Sequence, residues 1–342
     1  MTKIISLKHK ALSLSHYRQA GVFKYMEDVE FITTNTFDHD DLHGVDILFL
    51  YRPLNPDELG IIHLAKQMGV KVWVDYDDDP HNLPIHNPAH RTYWQDGLQR
   101  VVTECVKAAD AVSVTTLTLK KHFAAIGAKW ERVHIIPNAI NDYVFKWQDY
   151  HRSPGKQKVI WRGSDTHAGD LMSIDSALKE YPGISWHFFG FAPWFTMQPF
   201  RKNPFKYEYR PFSNGLWQYF DDFAKAKPHW LICPLIDNKF NRSKSNIAWI
   251  EATWAGAAVI APDLPEWKRP GVINYKNATH LEKVLSKVAA GHYNREELIE
   301  QPRENIEERY TLSKVNQKRK EVINALLAEK KETKVSSYAK KA

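Results

Sequence analysis

Cysteine is almost missing from this chain. Only Cys105 and Cys233 occur among 342 residues, both in apolar surroundings. Two thiols so placed exclude a disulfide framework and make a cysteine metal site untenable. Long apolar runs are missing as well: no stretch approaches the roughly 18 apolar residues of a membrane span. The opening MTKIISLKHKALSLSHYRQ is too polar, and its apolar run too short, for a secretory leader. No short-period repeat is visible, which sets solenoids aside. These absences lead us to expect a cytoplasmic protein without stable membrane insertion.

What is present is ordinary globular material, 43% hydrophobic and 25% charged, long enough for two domains or one large α/β domain. The net charge of +7 attracts polyanions or acidic membrane surfaces without choosing between them. Twelve tryptophans are many for this length. They can serve the core or stack on sugars and bases, and composition does not divide them.

Short apolar strands alternate with amphipathic helices, the pattern of parallel βαβ units. Strands are read at KIISL, EFIT, DILFLY, KVWVDY, AVSVT and RVHIIP, with helices at Pro56 to Met68 and Arg91 to Ala109. PNAINDYVFKWQDYHRSPGKQ interrupts the pattern as a linker. A second series follows: KVIWRG, a helix from Asp170 to Glu180, SWHFFG, KYEYRPF, a helix from Leu216 to Ala226, and HWLICPL. The expectation is two doubly wound Rossmann-like domains, residues 1–145 and 156–302, facing a cleft. Residues 303–342 form a C-terminal helix to about Glu329 and a basic, disordered tail.

One stretch carries chemistry: DNKFNRSKSNIAWIEATWAGAAVIAPD, Asp237 to Asp263. Ser243 reads as a helix N-cap, Ile247, Ile250 and Trp254 recur at helical spacing, and Gly256 is a C-terminal stop before the buried strand AAVIA. Lys244 and Glu251, seven apart, then share one helix face about 10 Å apart along the axis. A helix start beside a lysine is an anion site, and a glutamate two turns deeper accepts from sugar hydroxyls. The alternative is a surface helix with solvated charges.

The ordered set of motifs resembles the GT-B glycosyltransferases, especially those similar to glycosyltransferase family 4. HIIPNAI resembles the family's domain junction, VIWRGSDTHAGDL its phosphate-side loop, and PLIDNKFNRSKSNIAWIEATWAGAAVIAPD its donor block. KVWVDYDDDP resembles a strand end in one branch. The resemblance covers roughly residues 45 to 265. It implies an α/β GT-B fold and a nucleotide-sugar donor, a UDP- or GDP-sugar. Glu251 would hold the donor ribose. Arg162 and Lys244 would neutralise the diphosphate, with backbone N–H groups near Ser245 and Asn246, and Gly163, Ser164 and His167 would line the phosphate loop.

The chain also departs from that pattern. Ser243 stands where the family has a glutamate against the transferred sugar, so Asp237 or Asn238 would take over recognition. SLSHYRQAG replaces a glycine-rich loop, and His16 and Arg18 would meet phosphates or acceptor there, with a helix-capping role for Arg18 as the equal alternative. The acidic run Asp75, Asp77, Asp78, Asp79 reads as a cleft-facing acceptor group, with Asp77, Asp78 and His81 as candidate catalytic residues; a turn before Pro80 is the alternative. A metal on this run is the lesser reading, because the donor block already supplies cations, and no cofactor is expected. FDHDDLH reads as a turn rather than a metal site.

The activity implied is transfer of a sugar, with retention, to an acceptor hydroxyl. The acceptor lean is toward a hydroxymethylated pyrimidine in duplex DNA, as in phage-type members acting in a host cytoplasm, with Arg18, Arg52 and Arg91 on phosphates. The alternatives are a bacterial surface polysaccharide or lipid-linked glycan, and a non-catalytic binding protein on the same fold.

Overall fold

Runs such as ILFLY and VWVDY are too short for helices and apolar on both alternating faces, the requirement of strands covered by helices on both sides. In the computed structural model they do form such strands. The structure describes residues 1–8, 12–95, 97–149, 155–192 and 205–339, and for 12–14, 95 and 331–339 the backbone alone.

The first sheet holds β1 (Thr2–Leu7), β2 (Val29–Thr34), β3 (Ile47–Tyr51), β4 (Lys71–Tyr76), β5 (Ala111–Val114) and β6 (Val133–Ile135). The second holds β7 (Gln157–Gly163), β8 (Ile184–Gly190), β9 (Tyr207–Arg210), β10 (Trp230–Ile232), β11 (Ala258–Pro262) and β12 (Val272–Tyr275). Their orders are β2-β1-β3-β4-β5-β6 and β12-β11-β10-β7-β8-β9, parallel throughout. Strand order reverses between β1 and β3, and between β7 and β10. Crevices at the C-terminal ends of such strands are where ligands bind in doubly wound sheets.

Most tryptophans belong to the core. Trp73, Trp186, Trp230 and Trp249 are 1% exposed or less, whereas Trp94, Trp130 and Trp217 are about half exposed. Cys105 is buried and Cys233 half-buried, both free thiols.

Four local readings need correction. The helix expected from Arg91 to Ala109 is two, His90–Gln95 and Leu98–Ala108, because Gly97 takes a left-handed φ of 64° between them. The helix expected from Asp170 to Glu180 is fragments only, Ala168–Met172 and a 3-10 turn at Asp175–Ala177. The Ser173 hydroxyl bonds back to the Asp170 carbonyl there, the competition that makes serine a poor helix interior. Ser243 is not an N-cap: it ends a short helix, Lys239–Ser243, and the helix Ile247–Trp254 starts after Asn246. Lys244 therefore lies before that helix rather than on one face of it with Glu251. Gly256 does stop it, at φ 76°.

The C-terminal segment does more than trail. Helix Glu297–Arg309 packs Ile306 beside Trp249 and Ile250 in the second core. The chain then returns: Ile140 bridges Thr311, Asp142 accepts from the Ser313 backbone at 3.0 Å, and helix Leu312–Ala339 lays Leu312, Val315, Val322, Ile323 and Leu326 beside Phe23, Phe49 and Trp73. Through Ala339 the segment read as a disordered tail is helical; residues 340–342 lie outside the described residues. A cavity of about 490 Å³ opens at the opposite end of the first sheet from the crevices. Its lysines are paired, Lys66 with Asp110 at 2.9 Å and Lys330 with Asp46 at 3.1 Å, so it holds the returning helix.

Candidate active site

The two crevices face each other, and side chains from both sheets meet between them. Arg162, at the end of β7, reaches Glu251 on helix Ile247–Trp254. Glu251 is 3% exposed and accepts from Tyr17 at 2.5 Å and from Tyr219 at 2.8 Å, one on each carboxylate oxygen. Burial, and then the Glu251 charge, push the Tyr17 hydroxyl well above its ordinary range. Burial does the same to Tyr219 against the opposing pull of Arg162. Both therefore stay protonated donors.

Arg162 is close enough to Glu251 for an ion pair, yet its N–H directions do not line up. Nε and Nη2 remain buried without a hydrogen-bond acceptor. Burial disfavours its charge, but Glu251 outweighs that and raises its pKa above the ordinary value. A half-buried, permanently charged group whose buried Nε and Nη2 lack acceptors is set up for an anion. Gly163 follows it for a packing reason: a Cβ there would lie 2.8 Å from the Trp161 ring.

A second cationic point lies close by. Lys244 Nζ is 3.8 Å from Asp78 Oδ1 and 4.5 Å above the Phe240 ring. Beside it, helix Ile247–Trp254 starts without a side-chain cap, and the Nδ2 of buried Asn246 has no partner. Uncapped amides, a lysine and an unsatisfied amide together favour an anion. Ser245 accepts from Asn138 at 2.9 Å. His167 donates from Nδ1 to Asp170 at 2.9 Å; burial and then Lys244 lower its pKa, so it is neutral at pH 7. Ser164 bonds Thr166 within the same loop.

The first-domain residues divide differently from the sequence reading. Arg18 is 1% exposed and holds Asp75 with both ends of its guanidinium, at 2.8 and 2.5 Å. It also reaches Asn138, which leads on to Ser245. Arg18 is thus an internal brace and meets neither phosphate nor acceptor. His16 packs edge-on against Tyr17 and Trp217, and burial, then Lys24, lower its pKa to about 4. A neutral imidazole there cannot supply charge.

Arg52, in a left-handed conformation, bonds Asp77 at 2.5 Å and lies 3.5 Å from Asp78. Asp77 also accepts from Tyr51 at 2.7 Å. Burial would raise Asp77, but Arg52 wins and holds it below the carboxylate range, which makes it a poor general base. His81 is turned into the first domain, its Nε2 3.0 Å from the Gln99 carbonyl, so it does not face the cleft as a catalytic base. Asp78 alone of that set meets the opposite domain. Arg91 is exposed on helix His90–Gln95.

The substitutes for the missing sugar glutamate are also committed. Asp237 pairs with Arg242 at 2.5 Å, and Asn238 caps helix Lys239–Ser243. Three residues that sequence reasoning missed sit at the centre: Tyr17, Tyr219 and Asn138. Asn138 lies in the HIIPNAI junction, and Tyr219 on the inward face of helix Leu216–Ala226, signals too general to single them out.

No family model matches the chain, and no curated protein matches it by sequence. Solved structures do. A sucrose-phosphate synthase from Thermosynechococcus elongatus superposes with TM-score 0.67 at 12% identity, covering 96% of this chain and all of that one. A glycosyltransferase from Rickettsia africae gives 0.66 at 10% identity, over 95% and 98%. The Anabaena protein HepE in complex with UDP gives 0.65 at 13% identity, over 95% and 100%. The fold is GT-B: α/β, with two parallel six-stranded sheets facing each other.

Proposed function

We propose that this chain is a glycosyltransferase that takes a sugar from a UDP-sugar bound between the two sheets. The observation that carries the reading is the Arg162 guanidinium, ion-paired with Glu251 yet with no hydrogen bond to Nε or Nη2, with Lys244 and an uncapped helix start nearby. The leaving group of such a reaction is a nucleoside diphosphate, and fixed positive charge aimed at it stabilises the transition state. These groups serve the phosphates without calling on a metal ion. In the same reading Glu251 meets the ribose, whose hydroxyl takes the place of Tyr17 on Oε1. UDP in the HepE complex accords with this choice of nucleotide.

Retention fits the same residues. Arg52 holds Asp77 ionised, so it is a poor base for an acceptor hydroxyl, and Asp78 lies between Arg52 and Lys244. The departing phosphate oxygen then takes the acceptor proton on the face it leaves.

For the acceptor, the carbohydrate reading gains over duplex DNA. Arg18 and Arg52, two of the three arginines expected as DNA-phosphate contacts, are engaged by carboxylates. The test is a mass-spectrometric screen of nucleotide sugars against glycan, lipid-linked glycan, plain DNA and hydroxymethylated DNA. Transfer to a glycan with little salt dependence supports the carbohydrate reading. Transfer to hydroxymethylated DNA, with apparent affinity falling by about 0.9 log units per phosphate contact per log of salt, restores the DNA reading.

A further inference from the structure

Asp79, His81 and His122 converge in the first domain, where the loop after β4 meets helix Leu117–Ala125. His122 Nε2 lies 3.2 Å from His81 Nδ1 and 3.4 Å from Asp79 Oδ1, and the three atoms lie within 4.8 Å of one another. Bonds of about 2.0–2.1 Å to a tetrahedral zinc ion put its ligands roughly 3.3 Å apart. The observed spacings match that edge.

The second atom of two ligands is already held. His81 Nε2 is 3.0 Å from the Gln99 carbonyl, which can only accept, so Nε2 carries the proton and Nδ1 presents its lone pair inward. Asp79 Oδ2 accepts from Asn82 at 2.8 Å and Oδ1 from the His81 backbone N–H at 3.0 Å, and the second lone pair of Oδ1 remains for the histidine side. Carbonyl-to-histidine and amide-to-carboxylate bonds of this kind orient metal ligands. Asp79 is 1% exposed, and both rings are partly buried.

We propose that Asp79 Oδ1, His81 Nδ1 and His122 Nε2 bind a divalent transition-metal ion of the zinc class, with a fourth position open to water. Since His81 Nδ1 bears no proton, His122 Nε2 carries the one between the facing rings when no ion is bound. Binding shifts that proton to His122 Nδ1, and both imidazoles remain neutral. The ion ties the loop carrying Asp78, the one acidic residue of that run that meets Lys244, to helix Leu117–Ala125. It stands apart from the phosphate site and takes no part in displacing the sugar. A second group, His39, Asp40 and His43, is exposed, and the rings approach Asp40 only at 3.5 and 3.8 Å. It serves as the control.

The test is titration of the full-length, chelator-treated protein with Co²⁺, read by visible absorption and followed by competition with Zn²⁺. One Co²⁺ per chain is expected, with the d–d bands of a low-symmetry site that Zn²⁺ abolishes. His122→Gln should lose the bands while keeping its far-ultraviolet circular dichroism. Asn82→Ala retains all three ligands and should weaken binding about 10–100-fold. The double variant His39→Ala, His43→Ala should bind as the parent does. Absence of stoichiometric Co²⁺ from the parent, survival of the bands in His122→Gln, or their loss in the double variant would overturn the proposal.

Discussion

The Tyr17 hydroxyl, from the first domain, lies 2.5 Å from Glu251 Oε1 in the second. With Tyr219 at 2.8 Å on the other oxygen and Arg162 alongside, a nearly fully buried carboxylate is satisfied across the cleft. If a ribose hydroxyl takes the Tyr17 position on binding, removing that hydroxyl leaves Glu251 underbonded until nucleotide arrives. Tyr17→Phe is therefore expected to tighten UDP binding by about the net worth of one hydrogen bond, ~1 kcal/mol. Calorimetric titration decides it: weaker binding in Tyr17→Phe would make Tyr17 a ligand of the nucleotide rather than its stand-in.

Lys244 is assigned to the diphosphate. Lys244→Ala should lower UDP affinity by about 1.5–3 kcal/mol, the scale of a hydrogen bond to a charged group, while leaving uridine affinity nearly unchanged. Equal losses for UDP and uridine would place Lys244 away from the phosphates.

Arg18 braces Asp75 inside the first domain. Arg18→Ala leaves a carboxylate at 2% exposure without its guanidinium and should cost about 3–5 kcal/mol of stability. Urea unfolding measures this. A cost below about 1 kcal/mol would mean that Asp75 finds another donor.

His16 gives a pH signature. Its folded pKa of about 4 lies below the ordinary 6.5, so in between the unfolded chain binds the extra proton. The stability it contributes is present above 6.5 and is lost as the pH falls toward 4. His16→Phe should flatten the fall in melting temperature across that window. An unchanged slope would show that other buried histidines account for it.

The sheets were legible because parallel strands buried on both faces write themselves as near-continuous apolar runs, as in ILFLY and the VWV of KVWVDY. Helix ends were less so. Gly97 splits one helix through backbone conformation, and Ser243 looked like a cap because its chemistry suits either end of the short helix it closes. Arg162, Lys244 and Glu251 were legible by resemblance, and the structure brings the first and last into contact. Arg18 and His81 were misread for one physical reason: burial and partners decide whether a charged or titratable group faces a ligand, and their partners lie far away in sequence. Arg18 meets Asp75, and His81 meets Gln99 and His122. Tyr17 against Glu251, 234 positions apart, is a pairing that only the closed cleft produces.

The central claim is that the cleft cleaves a nucleotide sugar by means of Arg162, Lys244 and Glu251. It is tested most directly by release of UDP from UDP-sugars in the absence of acceptor, followed by ³¹P NMR. The parent protein is expected to release UDP slowly from at least one UDP-sugar, and Arg162→Ala, with its fold confirmed by circular dichroism, to release none above background. Release that persists unchanged in Arg162→Ala, or a parent that neither binds UDP nor hydrolyses any UDP-sugar, would contradict the account.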